Sequence, residues 1–251
     1  MSSRHSFGKR RVAALPLATL TALALAGCTG NTAAPAATSS APSAPAANSG
    51  PVTPKVQKLA FGTTVPGTES NKPHVVCCTS FYQLSPMYEF LIGVSPEGKE
   101  MVPQLATEWN VEPDGKSFRF KLQKGIPFQN GKGEFTAKDV RFTWQDMKTD
   151  DEVFPPQPTG VARTQIQDVE VVNDQEAVIR LNAPNSGFLS AISQAESVFA
   201  MRSEADATAR GKRPSMADQP YAGTGPYKYV ERAQGQYIRF TKAFDKHWRQ
   251  T

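Results

Sequence analysis

The chain has 251 residues, 39% hydrophobic and 20% charged, which is length and apolar content enough to bury a core. Its formal charge of +5 could suggest a nucleic-acid partner, but Arg4, Lys9, Arg10 and Arg11 all lie in the first 27 residues, where no acid balances them. The remainder carries 24 basic against 23 acidic residues, +1 in all, with no long run of like charge, so no nucleic-acid surface is implied.

The N-terminus reads as a targeting segment. A basic stretch, residues 4–11, precedes an apolar run, residues 12–26, that is too short for a membrane span. Leu25-Ala26-Gly27-Cys28 then resembles a bacterial lipobox, in which small residues let a peptidase reach the extended chain. That resemblance implies a lipoprotein signal peptide over residues 1–27, a diacylglyceryl thioether on Cys28 and an acyl group such as palmitate on its amine. Each buried lipid methylene adds about 0.8 kcal/mol, so two chains would hold the protein at the outer face of the cell membrane. The alternative is an ordinary secretory signal with an incidental cysteine. Residues 28–56 are rich in Ala, Pro, Ser and Thr and hold almost no charge, a composition that cannot order itself by burial and reads as a disordered tether.

The folded part begins with a short strand expected over residues 56–61, then a polar loop over 62–73. Cys77-Cys78 follows, with two readings open: a strained vicinal disulfide, or two small buried thiols. Residues 86–92 suggest a helix, and Ser95-Pro96-Glu97-Gly98-Lys99 a turn. Phe118, Phe120 and Leu122 alternate with Arg119 and Lys121, the period of a half-buried strand, and Pro113-Asp114-Gly115 folds it back on residues 108–112. Asn130-Gly131 marks a second tight turn. Thr136 stands as the N-cap of a helix in which Asp139 meets the positive end of the dipole and Val140, Trp144 and Met147 share one face. Residues 150–164 read as irregular; Asp150-Asp151-Glu152 within them reads as a solvated loop. A hairpin is expected from 166–171 and 177–181 turning at Asn173-Asp174, then a short helix opening at Phe188-Leu189. Strands over 227–230 and 236–241 close the chain. Gly223-Thr224-Gly225 is no phosphate cradle, because Pro226 lacks an amide donor and a strand follows where a helix N-terminus would be required.

Residues 103–140, PQLATEWNVEPDGKSFRFKLQKGIPFQNGKGEFTAKDV, closely resemble the signature of the family 5 solute-binding proteins of ABC transporters, extracellular receptors for peptides, nickel chelates and some sugars. Pro103, Leu105, Ala106, Trp109, Asp114, Gly115, Phe120, Leu122, Gly125, Phe128, Gly131, Phe135, Thr136, Ala137, Asp139 and Val140 match in order. Tyr88-Glu89-Phe90-Leu91 is similar to that family's Y-E-x-L helix, residues 166–184 to its hairpin, Gly223-Thr224-Gly225-Pro226-Tyr227 to its G-T-G-P-[YFW], and residues 244–248 to its N-x-x-Y-W. The resemblance implies an α/β, periplasmic-binding-protein-like (Venus flytrap) fold in which two lobes close on a solute and the closed form docks on a permease served by an ATPase. It implies the first lobe over residues 57–251, with a mixed sheet. Residues 57–82 and 185–251 would form the sheet subdomain and 83–184 an inserted one. On that resemblance the second lobe would be missing, since family members run well beyond this length. The implied function is capture of a solute, an oligopeptide first among the candidates, for import.

For the ligand wall the resemblance points to Cys77, Cys78, Thr79, Phe81 and Tyr82 on one loop and to Glu196 and Ser197 on another. Aromatic rings in such clefts stack on the ligand while a few polar groups orient it. No catalytic residue, metal or cofactor is implied: there is no G-x-S-x-G, H-E-x-x-H, P-loop or C-x-x-C, and His5, His74 and His247 are scattered. The rival readings are a lipid-anchored adhesion or structural module built on the same lobe, and a secreted hydrolase.

Overall fold

The computed structural model describes residues 58–63, 69–75, 82–149, 159–211 and 218–250, and every element falls within the unit Ala60–Thr251. The strand expected over residues 56–61 is absent from the described part of that stretch: residues 58–61 are unpaired coil, and Phe61 is 82% exposed. A strand is stable only where a neighbour takes its ladder, and no described strand pairs with it.

The helix expected over residues 86–92 is also absent. Met87, Tyr88, Glu89, Phe90, Leu91 and Ile92 are all buried, whereas an amphipathic helix would bury one face. Their carbonyls are taken by distant partners: Met87 O by the Gly225 amide, Glu89 O by Met201, Phe90 O by Leu105, Leu91 O by Ala106 and Ile92 O by Gln194, all at 2.8–3.0 Å. The segment is therefore extended and runs into β1 (Ile92–Val94), which pairs with β2 (Met101–Pro103) across the predicted turn, where the Gly98 amide donates to Ser95 O.

β3 (Ala106–Val111) and β4 (Ser117–Leu122) form the expected antiparallel hairpin, with Trp109 opposite Phe120. Asp114 fixes its turn by accepting from the amides of Lys116 and Ser117 at 2.9 and 2.8 Å. Asn130 and Gly131 take left-handed φ of 58° and 66°, as a tight turn requires. α1 (Ala137–Thr149) opens on a reciprocal cap: the Thr136 amide donates to Asp139 Oδ2 at 2.8 Å and the Lys138 amide to Thr136 Oγ1 at 3.3 Å. α2 (Thr159–Gln165) stands where irregular chain was expected. Its last carbonyls are satisfied from outside, since Asn182 donates its amide to Gln165 O and its side chain to Thr164 O. β5 (Ile166–Asn173) and β6 (Glu176–Leu181) complete a four-stranded sheet in the order β3-β4-β6-β5. All pairings among the described strands are antiparallel. One face carries Phe118, Phe120, Leu122, Ile179 and Leu181 into a core shared with Val140, Trp144 and Met147 of α1. The other is laced with ion pairs, Arg119 to Glu112 and Glu176, Lys121 to Glu108 and Arg180 to Glu170.

α3 (Phe188–Ile192) follows, its Phe188 ring 4.8 Å from that of Phe118. α4 (Glu204–Arg210) starts at Ser203, whose hydroxyl accepts from the Asp206 amide, and stops at Gly211 with φ 66°. β7 (Tyr227–Ala233) and β8 (Tyr237–Lys242) make a separate hairpin whose Tyr229, Ile238 and Phe240 pack on Leu84, Met87, Tyr88 and Phe90. The Gly223–Gly225 stretch earns its glycines by close approach. A Cβ on Gly223 would stand 2.2 Å from Met87 O, and one on Gly225 2.5 Å from the Met87 carbonyl carbon. Buried Gln129 seals the crossing, its Nε2 lying 2.8–2.9 Å from the carbonyl oxygens of Met87, Gly225 and Tyr227.

Candidate functional site

Of the expected site residues, Cys28, Cys77, Cys78, Thr79 and Phe81 lie outside the described residues, which leave Tyr82, Glu196 and Ser197. Tyr82 is 42% exposed, yet the chain beneath it is tied down. Its carbonyl accepts from Ser85 Oγ, and the next residue, buried Gln83, accepts from Arg232 at 2.7 Å. An exposed ring on an anchored backbone is suited to stacking on a ligand.

Glu196 and Ser197 sit in a tight turn after α3. The Ser193 hydroxyl caps the Ala195 amide at 3.1 Å, the Ser197 amide donates to Ser193 O at 3.2 Å, and Ser197 Oγ donates to Gln194 O at 2.7 Å. These bonds hold Ser197 at φ 65°, a left-handed conformation that only a well-determined surrounding sustains outside glycine. Ser197 is buried and spends its hydroxyl proton inside the turn, so it shapes the turn, while half-buried Glu196 is the side chain the turn presents. Gln194 fastens the turn to β1. Its amide donates to Ile92 O at 2.9 Å, and its Oε1 accepts from the Val94 amide and from Gln104 Nε2. With the Met201 amide on Glu89 O, residues 194–201 are laid against residues 89–94, the continuation of the chain from Tyr82.

Two buried polar clusters escaped the sequence reading. Trp248 Nε1 donates to Glu89 Oε2 at 2.8 Å, so the Y-E-x-L and N-x-x-Y-W fragments meet in space across 159 residues. Burial pushes the Glu89 carboxyl above the usual carboxylate range, against the pull of the Trp248 donor, His247 and Arg249. The second cluster joins Arg202, wholly buried, to Asp146 Oδ2 at 2.7 Å and to His74 Nδ1 at 2.5 Å. Its one sequence signal was Asp146, adjacent to Met147 and three residues beyond Thr143 on the face that α1 buries. A broader open depression of about 290 Å3 between α1 and α4 is lined by Phe142, Gln145, Thr149 and Ala207 among others and includes neither Tyr82 nor the Ser197 turn. No group of three or more His, Cys, Asp or Glu able to hold a metal occurs among the described residues, and none of their helices is long and apolar enough to cross a membrane.

Comparison with known proteins bears on this arrangement. The dipeptide-binding protein of Escherichia coli (strain K12) is 27% identical over 195 residues, which cover 72% of this chain and 36% of that protein. A dipeptide-binding protein from Pseudoalteromonas sp. SM9913, solved with Met-Leu, is 28% identical with a TM-score of 0.61, over 71% of this chain and 39% of its own. The periplasmic binding protein DppA of Helicobacter pylori, solved with the peptide STSA, gives a TM-score of 0.61 at 24% identity over 73% of this chain and 38% of its own, a likeness of fold alone. The chain thus spans little more than a third of the length of these relatives. The profile of the bacterial extracellular solute-binding proteins, family 5 Middle, matches residues 100–251, well over half of the sequence, and the chain belongs to that family.

Proposed function

We propose that the chain contributes one wall of a peptide-binding cleft in the receptor of an ABC importer, where it captures a short peptide for delivery to a permease and its ATPase. The observation that carries this reading is the alignment of most of the chain, at 27–28% identity, with two dipeptide-binding proteins. Tyr82 would stack on the peptide, Glu196 would orient it by charge, and Ser197 would hold the turn that presents Glu196. Cys77, Cys78, Thr79 and Phe81 would extend the same wall. Residues 57–82 and 185–251 would form the sheet-bearing subdomain and 83–184 the inserted one. Cys28 would carry the lipid that keeps the receptor at the outer face of the membrane, with residues 28–56 as its tether.

The test is a titration of the 15N-labelled full chain with Met-Leu, followed by backbone amide shifts. Saturable shifts at Tyr82, Glu196, Ser197 and their neighbours are expected at about millimolar peptide, equivalent to about −4 kcal/mol of binding. Saturation elsewhere with these amides unmoved, or cleavage of the peptide, would overturn the assignment.

A further inference from the structure

The turn that carries Glu196 holds a second polar side chain, and the backbone dictates which way it faces. The Phe90 amide donates to Gln104 Oε1 at 2.6 Å, and the Val94 amide donates to Gln194 Oε1 at 3.3 Å. A backbone N–H can only donate, so in each carboxamide the atom facing it is the oxygen. Gln104 Nε2 then donates to Gln194 Oε1 at 3.4 Å, and that oxygen receives two N–H groups. Gly93 leaves room for the pairing: a Cβ there would stand 3.4 Å from Gln104 Cβ and 3.5 Å from Gln194 Oε1.

The consequence lies on the other arm of the Gln194 carboxamide. With Oε1 held on β1, Nε2 is turned away from the Val94 amide, and its two N–H donors have no acceptor among the described residues. Gln194 is half-buried, and Nε2 is not among the buried polar atoms without a partner, so these donors open on the surface. Two residues on, the Glu196 carboxylate offers acceptors and no donor, and the exposed Ala195 between them has no bulk to screen either. One short turn thus offers donors and acceptors together, as a peptide requires with its carbonyl oxygens and N–H groups. The bonds at Ser193 and Ser197 hold the turn, and the two on Oε1 hold the Gln194 head, so little side-chain freedom is left to lose on binding.

We propose that Gln194 is a ligand-binding residue, donating from Nε2 to an acceptor oxygen of the bound peptide. That oxygen belongs to the peptide carbonyl or to the terminal carboxylate, which share this chemistry. The assignment rests on the proposed peptide-binding reading and adds to it the donor that works beside Glu196.

The experiment follows the side-chain NH2 resonances of the 15N-labelled full wild-type chain during titration with Met-Leu. The Gln194 pair is identified by its disappearance in Gln194→Glu, and it should move saturably with the same midpoint as the backbone amides of Tyr82 and Glu196. Gln194→Glu keeps the oxygen that Val94 and Gln104 hold, so the Ser197 Cα and Cβ shifts, which report its left-handed φ, should stay in place. Met-Leu binding should nevertheless weaken about tenfold, which is about 1.4 kcal/mol. Gln194→Met adds no charge and should weaken binding as well, which separates loss of the donor from added charge. Met-Leu with an amidated C-terminus tells the two oxygens apart. A weaker fit to the wild type that Gln194→Glu abolishes supports the carboxylate, and equal binding of the two ligands supports the carbonyl. Saturating shifts at Tyr82 and Glu196 with the Gln194 NH2 pair unmoved, or a folded Gln194→Glu that binds as the wild type does, overturn the assignment of Gln194 alone. No saturable shift at any of these positions overturns the proposed function and this assignment with it. If a variant fails to fold, the wild-type titration decides.

Discussion

Gly223 and Gly225 show what a single side chain would undo. Neither has a left-handed φ; what forbids a Cβ is the backbone of residues 86–87, which runs within 2.2–2.6 Å of where the carbon would stand. Because the obstacle is main chain, it cannot swing away as a side-chain end could. Gly225→Ala should therefore lose about 3 kcal/mol, the upper range for overpacking. Gly62→Ala, where an added Cβ meets nothing, should sit within about 0.5 kcal/mol of the parent. Urea unfolding of both variants checks this, and an unchanged midpoint for Gly225→Ala would show that the crossing is looser than described. The Gly-Thr-Gly-Pro fragment could be picked out from the sequence and its phosphate reading dismissed there. Its partner could not, because Met87 lies more than a hundred residues away and carries no mark of the contact.

The extended segment from Met87 to Val94 is the element that local pattern misjudged, and the reason is physical. Periodicity registers which faces are apolar, and a stretch buried on every side has no face to register. Apart from the β1–β2 pairing at its end, its backbone bonds go to the start of β3, to the turn after α3 and to the Gly225 crossing, none of which is local in sequence. α1 and both hairpins of the sheet were legible because their caps, turns and apolar faces lie within a few residues of one another; α2 was not, because Asn182 supplies its C-terminal bonds from outside. The same segment carries Glu89, whose carboxyl is raised by burial while Trp248, His247 and Arg249 oppose the shift. An acid with a raised pKa in the fold binds its proton more readily folded than unfolded. Its ionised form then weighs against folding at neutral pH, and the penalty is relieved as pH falls through the folded-state pKa toward the unfolded one. Glu89→Gln removes that titration and keeps an acceptor for the Trp248 indole. The stability of the wild type relative to Glu89→Gln should therefore rise as pH falls from about 7 to about 4, the side of the ordinary carboxylate value to which the shift points. Denaturant midpoints of the two proteins across that range give the comparison, and a difference that stays flat or falls would mean that the ion pairs, not burial, govern Glu89.

At the scale of the molecule, affinity depends on how much of a ligand is enclosed. Small-molecule sites bury about 70–90% of their ligand, and short peptides gain little from contact on one side alone. The chain aligns with 36–39% of each dipeptide-binding relative, so it supplies only the share of an enclosing surface that this part can build. At the proposed site, the exposed Tyr82 ring and the Glu196 turn would meet one face of a dipeptide, and the cost of immobilising that dipeptide is the same as for full enclosure. The 251-residue chain by itself should therefore bind Met-Leu no tighter than about 0.1 mM, near −5.5 kcal/mol. Calorimetry on a sample shown to be monomeric by sedimentation is the measurement. Micromolar or tighter binding would mean that these residues close around the peptide unaided, and the site would then have to be sought in a deeper place than the proposed wall of Tyr82 and the Ser197 turn.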